Sequence, residues 1–313
     1  MEFGKVQHPE QINFQLPPDD PMTNELLNGL RPGSSKGSGP GPTDDLRIYV
    51  GATRWRIKEW VGTVYPKKTK EKDFLSQYVR QFNTIELNAM WYNLQPKEVI
   101  EKWAGLADRD FRYCPKFSNT ISHELQLSGA EKDTDLFIDH MRHFGGHLGA
   151  SFLQLSDGFG PDRTAVLHNY LRHLPRDFRT CVELRQESWF RRGAHQQTWE
   201  NFRELGIGTV ITDSSGRRDV IHMRLTAPIA FIRWVSNSGH PTDHLRIDAW
   251  AERIGDWVKR GLREVYFFVH SSDETYTPSL VTYTIEQLNK TCGTNLKPPK
   301  IQQEDEAKPL TLF

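Results

Sequence analysis

The stretch FNTIELNAMWYNLQP, Phe82 to Pro96, decides the fold. Its first half reads as a strand over 83–88, with Ile85 and Leu87 alternating onto one face. The same period of two sets Glu86 and Asn88 side by side on the other face. In CVELR (181–185), Val182 and Leu184 face one way, and Glu183 and Arg185 the other. Charged side chains enter a core only with partners, so both strands raise the question of what their acids meet.

Working outward from these two runs, short β-rich segments recur at 47–52, 83–88, 111–116, 149–155, 179–185, 208–213, 230–235 and 264–270. Helical spacing of apolar residues appears between most of them: in KEKDFLSQYVRQF, PKEVIEKWAGL, TDLFIDHMRHF, RTAVLHNYLRHL, HQQTWENFREL and LRIDAWAERIGDWVKRGL. SLVTYTIEQLNK follows the last strand. The gap between Asp213 and Ala230 is short and predicts a stunted sixth helix. Alternating strands and helices imply a parallel sheet, and eight repeats over about 250 residues fit a (β/α)8 TIM-type barrel. A doubly wound open sheet is the alternative, and it calls for a Gly-rich first turn that this chain lacks.

The predicted organisation has three parts. Residues 1–45 form a flexible N-terminal segment ending in the Gly/Pro/Ser linker RPGSSKGSGPGPTDD, preceded by a short helix near Met22–Leu30. Residues 46–296 form the barrel, and 297–313 a loose tail. Lys+Arg and Asp+Glu both number 40, so long-range attraction to nucleic acid or to an anionic membrane has no support. No apolar run approaches the ~18 residues of a membrane span, and the N-terminus lacks an apolar signal core. The three cysteines are far apart with no C-x-x-C, which suits a reducing, cytoplasmic setting and gives no zinc or redox motif. No cofactor is expected.

In a barrel of this kind, functional groups gather at the carboxyl ends of the strands. Period two, applied strand by strand, brings Glu86, Asn88, Lys116, Gln154, Glu183, Arg185, Asp213, Arg233 and His270 to that end. Two readings follow. One is a closed ion-pair network plugging the barrel. The other is an active site for a small polar, anionic or sugar-like substrate. There Glu86 and Glu183 serve as acid and base, Lys116, Arg185 and Arg233 bind negative charge, and His270 carries protons. Trp55, Trp91 and Tyr92 offer stacking walls. With Arg54, Arg56 and the lysines of 67–72 they leave a non-catalytic ligand or nucleic-acid site as an alternative. A divalent-metal hydrolase or isomerase built on Glu86, Glu183, Asp213 and His270 is a further one. Neighbouring cations and the absence of H-E-x-x-H spacing oppose it, and no metal is expected.

VGATRWRIKEWVGTVYP (50–66) resembles the opening of the YecE-like family, domain of unknown function 72, at Gly51, Thr53, Trp55, Trp60, Gly62, Tyr65 and Pro66. FNTIELNAMWY is similar to that family's second-strand motif at Phe82, Thr84, Glu86, Asn88 and Tyr92. Lys116, Ser122-His123, Gln154 in FLQL, and Glu183, Arg185, Ser188 and Trp189 in VELRQESW continue the resemblance, which spans roughly residues 47–290. It implies a TIM-type barrel and names no substrate. It also adds His123, in a loop, to the candidate proton carriers. IRWVSN around Arg233 and FFVHSSD around His270 depart from the family's usual strand-seven and strand-eight patterns.

Overall fold

A computed structural model describes residues 6–30, 45–108, 110–191 and 195–302. Most of the predicted linker and all but the start of the predicted tail lie outside the described residues. The eight strands are β1 (Arg47–Ala52), β2 (Thr84–Leu87), β3 (Arg112–Pro115), β4 (Ser151–Gln154), β5 (Thr180–Glu183), β6 (Gly208–Asp213), β7 (Ile229–Val235) and β8 (Glu264–His270). All ladders are parallel, in the order β3-β2-β1-β8-β7-β6-β5-β4. The two edges of that order meet in a seam. Bridges pair Tyr113 with Leu148 and Lys116 with Phe152, and the Phe117 amide donates to the Phe152 carbonyl at 3.0 Å. At Gly149 a Cβ would sit 2.6 Å from Cys114 Sγ, so β4 approaches β3 this closely only with glycine there. The molecule is therefore a nearly closed TIM-type barrel of mixed α/β class.

Period two sorts the core into two shells. Ile85, Leu87, Val182, Ile211, Ile232, Val265 and Phe267 point outward into the main apolar cluster under the helices. Tyr49, Cys114, Phe152, Cys181, Val210, Phe231, Tyr266 and Phe268 fill the lumen as a separate cluster. That inner plug includes Tyr49 stacked on Tyr266 at 4.7 Å. It closes the amino-terminal half of the barrel, so polar residues on the same faces collect above it.

The helices are α1 (Pro21–Leu30), α2 (Phe74–Gln81), α3 (Ala89–Tyr92), α4 (Lys97–Ala104), α5 (Glu131–Met141), α6 (Thr164–His173), α7 (Gln196–Leu205), α8 (Thr242–Lys259) and α9 (Thr277–Cys292). Between β6 and β7 there is only a three-residue turn, Arg218–Val220, as the short sequence gap predicts.

The N-terminal helix α1 takes the missing helix's place. Asp20 and Thr23 bond the backbone at Met223 and Leu225 on the β6–β7 connection. Glu25 meets Arg203 of α7 at 3.0 Å. Asp19 accepts from Arg253 and Trp257 of α8 and from Arg260. Leu27 is fully buried, a contribution of about 1.5–3 kcal/mol. Of the segment read as flexible, residues 13–30 are thus bonded to the barrel wall over much of their length.

Candidate functional site

Arg233, projecting from β7 into the lumen, organises the carboxyl-terminal face. Its Nε and Nη2 donate to both oxygens of Glu86 at 2.8 and 2.9 Å. Its Nη1 donates to Glu183 Oε2 at 2.6 Å and to Gln154 Oε1 at 3.2 Å. Glu86 also accepts from Asn88 Nδ2 and His270 Nε2, both at 2.9 Å. Glu183 Oε1 accepts from Arg185 Nε at 2.7 Å and from the Thr212 hydroxyl at 3.0 Å. Three strands thus converge on the guanidinium that β7 supplies, whose planar fork matches carboxylate geometry.

Burial alone would raise the Glu86 pKa, but Arg233 and His270 outweigh it and hold the carboxyl well below its usual range. Burial likewise opposes Arg185 and Arg233 at Glu183, and the two arginines win, bringing it down to about 2. Both acids are therefore ionised, which fixes the shared hydrogen of the His270–Glu86 contact on Nε2. Burial lowers His270 further than Glu86 raises it, so the imidazole is neutral.

Above this layer opens a cavity of about 610 Å³. Arg185, Arg233, Lys116, His270, Asn88 and Gln154 form its floor, and Trp55, Trp91, Tyr92 and His123 its walls and rim. Lys116 Nζ donates to Gln154 Oε1 at 3.1 Å and lies 4.7 Å above the Trp91 ring. No carboxylate among the described residues is within ion-pair distance of it. Burial, then the charge of Arg233, brings its ammonium down to about 7 against the weaker upward pull of Glu183 and Glu86. The Trp91 face favours the charged form by only ~0.5–2 kcal/mol, less than burial takes away. His123 holds its Nδ1 2.8 Å from Ser122 Oγ and packs edge-on to Trp91. Burial and Lys116 lower its pKa.

Most residues predicted for this face are brought together here, with three corrections. Asp213 is not in the lumen. It shares the parity of Ile211, points out behind β6, and accepts from Arg218, from Arg246 at 3.0 Å and from Trp250 Nε1 at 2.7 Å. Thr212 takes the inward position instead. Second, Glu86 and Glu183 do not face the cavity. They lie beneath it, 0% and 1% exposed, and both ionised, so they are not an acid–base pair. Third, the metal set is not assembled. Arg233 occupies the space between the two glutamates, and Asp213 is on the far side of the strand. Tyr92 stands at the rim and is largely exposed, so it walls the cavity less than predicted.

Thr212, Thr53 and Asn119 are the lumen and lining residues that sequence reasoning missed. Thr53 is signalled by its place in the matched first-strand motif, while Thr212 and Asn119 are signalled by nothing local, since both faces of β6 are apolar. Because Asp213 serves the wall, Asp213→Asn is expected to lose roughly 1.5–3 kcal/mol of stability in denaturant titrations while leaving the cavity's ligand response intact.

A parallel eight-stranded barrel with a cation-floored cavity at its strand ends defines the class: a TIM-type barrel protein with its polar site on the face where such barrels carry function. The chain belongs to the family described as protein of unknown function DUF72, whose model matches residues 49–304. It is 29% identical over 276 residues to UPF0759 protein YecE of Escherichia coli (strain K12), covering 82% of this chain and 98% of that protein. UPF0759 protein YunF of Bacillus subtilis (strain 168) is 26% identical over 158 residues, covering 48% of this chain and 55% of that protein. Among solved structures, the fold matches a DUF72 family protein of Enterococcus faecalis V583 with a TM-score of 0.62 and 18% identity, over 80% of this chain and 99% of that one. A DUF72 family protein of Thermotoga maritima MSB8 matches with a TM-score of 0.61 and 21% identity, over 79% and 100%. No helix among the described residues is long and apolar enough to cross a membrane.

Proposed function

We propose that the cavity is the active site of an enzyme acting on a small anionic substrate. Arg185 and Arg233 hold the anionic group, Asn88 and Gln154 orient it, and Lys116 exchanges a proton with the substrate. The observation that carries this reading is the vertical order of charges. The carboxylates are buried below, spent on the arginines, and the groups turned to the cavity are donors. A ligand anion there meets preorganised N–H groups in a partly dehydrated site, where they act more strongly than in water. An amine near 7 is poised to take and return protons at neutral pH. Neutral His270 and His123 are available as relays. The three cysteines are unpaired, which fits the reducing, cytoplasmic setting expected from sequence.

A thermal-shift panel of organic acids, sugar phosphates, nucleotides and neutral sugars tests this. An anionic ligand at 100 times its dissociation constant should add about 2.7 kcal/mol to wild type and little to Arg185→Ala. Proton NMR of the same hit in deuterium oxide should then show enzyme-dependent exchange of a carbon-bound hydrogen. Stabilisation by neutral sugars alone, equal in both proteins, would overturn the reading. Binding without exchange would reduce the barrel to a ligand-binding module.

A further inference from the structure

We propose that Lys116 is a nucleophile that forms a Schiff base, and that the substrates are 2-oxo acids, small carbonyl compounds with a carboxylate one bond from the carbonyl. This rests on the reading of the cavity as an anion-binding active site and adds to it a covalent step and a substrate class.

Three features of the geometry support it. Lys116 leaves the end of β3 on a fixed backbone: its amide donates to the Leu87 carbonyl at 3.1 Å, and its residue bridges to Phe152 across the seam. The amine is therefore presented, not trailing on a loop. Next, its Nζ touches a neutral amide oxygen and an aromatic face, and among the described residues no carboxylate is within ion-pair distance of it. Buried amines in such settings are the ones that serve as nucleophiles. Finally, the amine and the Arg233 guanidinium share one acceptor, Gln154 Oε1, at 3.1 and 3.2 Å. A substrate that displaces this shared contact must bring its electrophilic carbon and its anionic oxygens close together. A carboxylate attached directly to the carbonyl meets that spacing. A phosphate held several bonds away from the carbonyl does not.

The step balances without oxidant or reductant. The lysine lone pair forms the N–C bond while the carbonyl π pair moves to oxygen, and a proton passes from nitrogen to that oxygen, giving a carbinolamine. A second proton, delivered by solvent or a neighbouring donor, lets the hydroxyl leave as water while nitrogen's lone pair closes the C=N bond. The product is a protonated imine. Its positive charge falls where the ammonium lay, above the Trp91 ring, so the cation–π contact of the resting enzyme is kept in the intermediate.

The full chain is incubated at pH 7 with pyruvate or glyoxylate and cyanoborohydride, then read by intact-mass and peptide mass spectrometry. The expected result is one stoichiometric reduced adduct on Lys116. It should form far ahead of exposed lysines, whose unprotonated fraction at this pH is smaller by about three orders of magnitude. Lys116→Arg and Lys116→Met should lose it, and Arg185→Ala should slow it for pyruvate but not for uncharged propanal. Glycolaldehyde phosphate serves as the comparison, and labelling by it with none by the 2-oxo acids would overturn the substrate class. No adduct at Lys116 with any carbonyl, in a protein still stabilised by 2-oxo acids in thermal shift, would overturn the nucleophile and leave the anion site standing. Loss of both stabilisation and adduct would remove the two readings together.

Discussion

Replacing Arg233 by methionine is expected to lower the stability of the fold by at least 3–5 kcal/mol, the range seen when one partner of a buried ion pair is removed. Methionine fills the volume but leaves Glu86 and Glu183 without the guanidinium that bonds three of their four oxygens. Glu86 retains Asn88 and neutral His270, and Glu183 retains Arg185 and Thr212, so the injury falls hardest on Glu86. The loss should depend on pH with a definite sign. In wild type the folded pKa values of both acids lie below their unfolded ones. Their contribution is therefore complete above about pH 4.5 and is lost as pH falls toward the folded values. In the variant, burial wins at Glu86 and its folded pKa rises above the unfolded one. The native state then binds the extra proton, and the deficit narrows as pH drops from 7 toward 4. Melting curves across that range check this, with Glu86→Gln/Arg233→Met expected to recover part of the loss. A deficit under 1 kcal/mol and flat with pH would mean that the arginine is not what holds these acids.

Lys116→Met should move stability and activity in opposite directions. Proton exchange on any substrate should fall by roughly 10²–10⁴-fold, the usual contribution of a positioned acid–base group. The same variant should melt higher than wild type at pH 7. The folded pKa of Lys116, about 7, lies below its unfolded value. Between those values the unfolded chain binds a proton that the folded one does not. Wild-type stability therefore rises with pH from about 7 to about 10.5, and at or below 7 the full penalty of burying the amine is present. Methionine removes that penalty, and its advantage should fade as pH approaches 10. Gln154 keeps Arg233 as donor, so no buried acceptor is orphaned. A variant less stable than wild type at pH 7 would mark Lys116 as part of the scaffold. The expected pattern is the stability–function trade-off of a strained site.

The barrel was legible because its strands announce themselves twice, by β-rich runs and by ionisable residues at alternate positions, as in TIELN and CVELR. Where both faces of a strand are apolar, parity is silent. GTVITD carries Val210 and Ile211 on opposite faces, and nothing local says which is inside, so the sequence alone does not distinguish Thr212 from Asp213 as the inward residue. The roles of the glutamates were hidden for a different reason. Parity brings Glu86 and Arg233 to the same layer but cannot say that a residue 147 positions further along the chain takes both carboxylate oxygens. Nor could the short gap after β6 and the helix before the linker be connected from sequence. Their union depends on Asp19, Asp20 and Glu25 meeting arginines more than 170 positions away.

That substitution of α1 for a barrel helix has a consequence during synthesis. Asp19 emerges from the ribosome 234 residues ahead of Arg253, and β1 waits nearly as long for β8. Until those partners arrive, Asp19 has no cation and one edge of the first strand has no neighbour, although Asp20, Thr23 and Glu25 already have partners on the β6–β7 connection and α7. The nascent barrel can build ladders from β4 to β7 as the chain lengthens, but it stays an open sheet with a gap in its helical jacket. Closure and the last bonds that seat the start of α1, those of Asp19 to α8 and Arg260, both wait for the last quarter of the chain. A ribosome stalled before α8 would therefore hold an unclosed sheet with exposed edges, the arrangement most open to pairing with another chain.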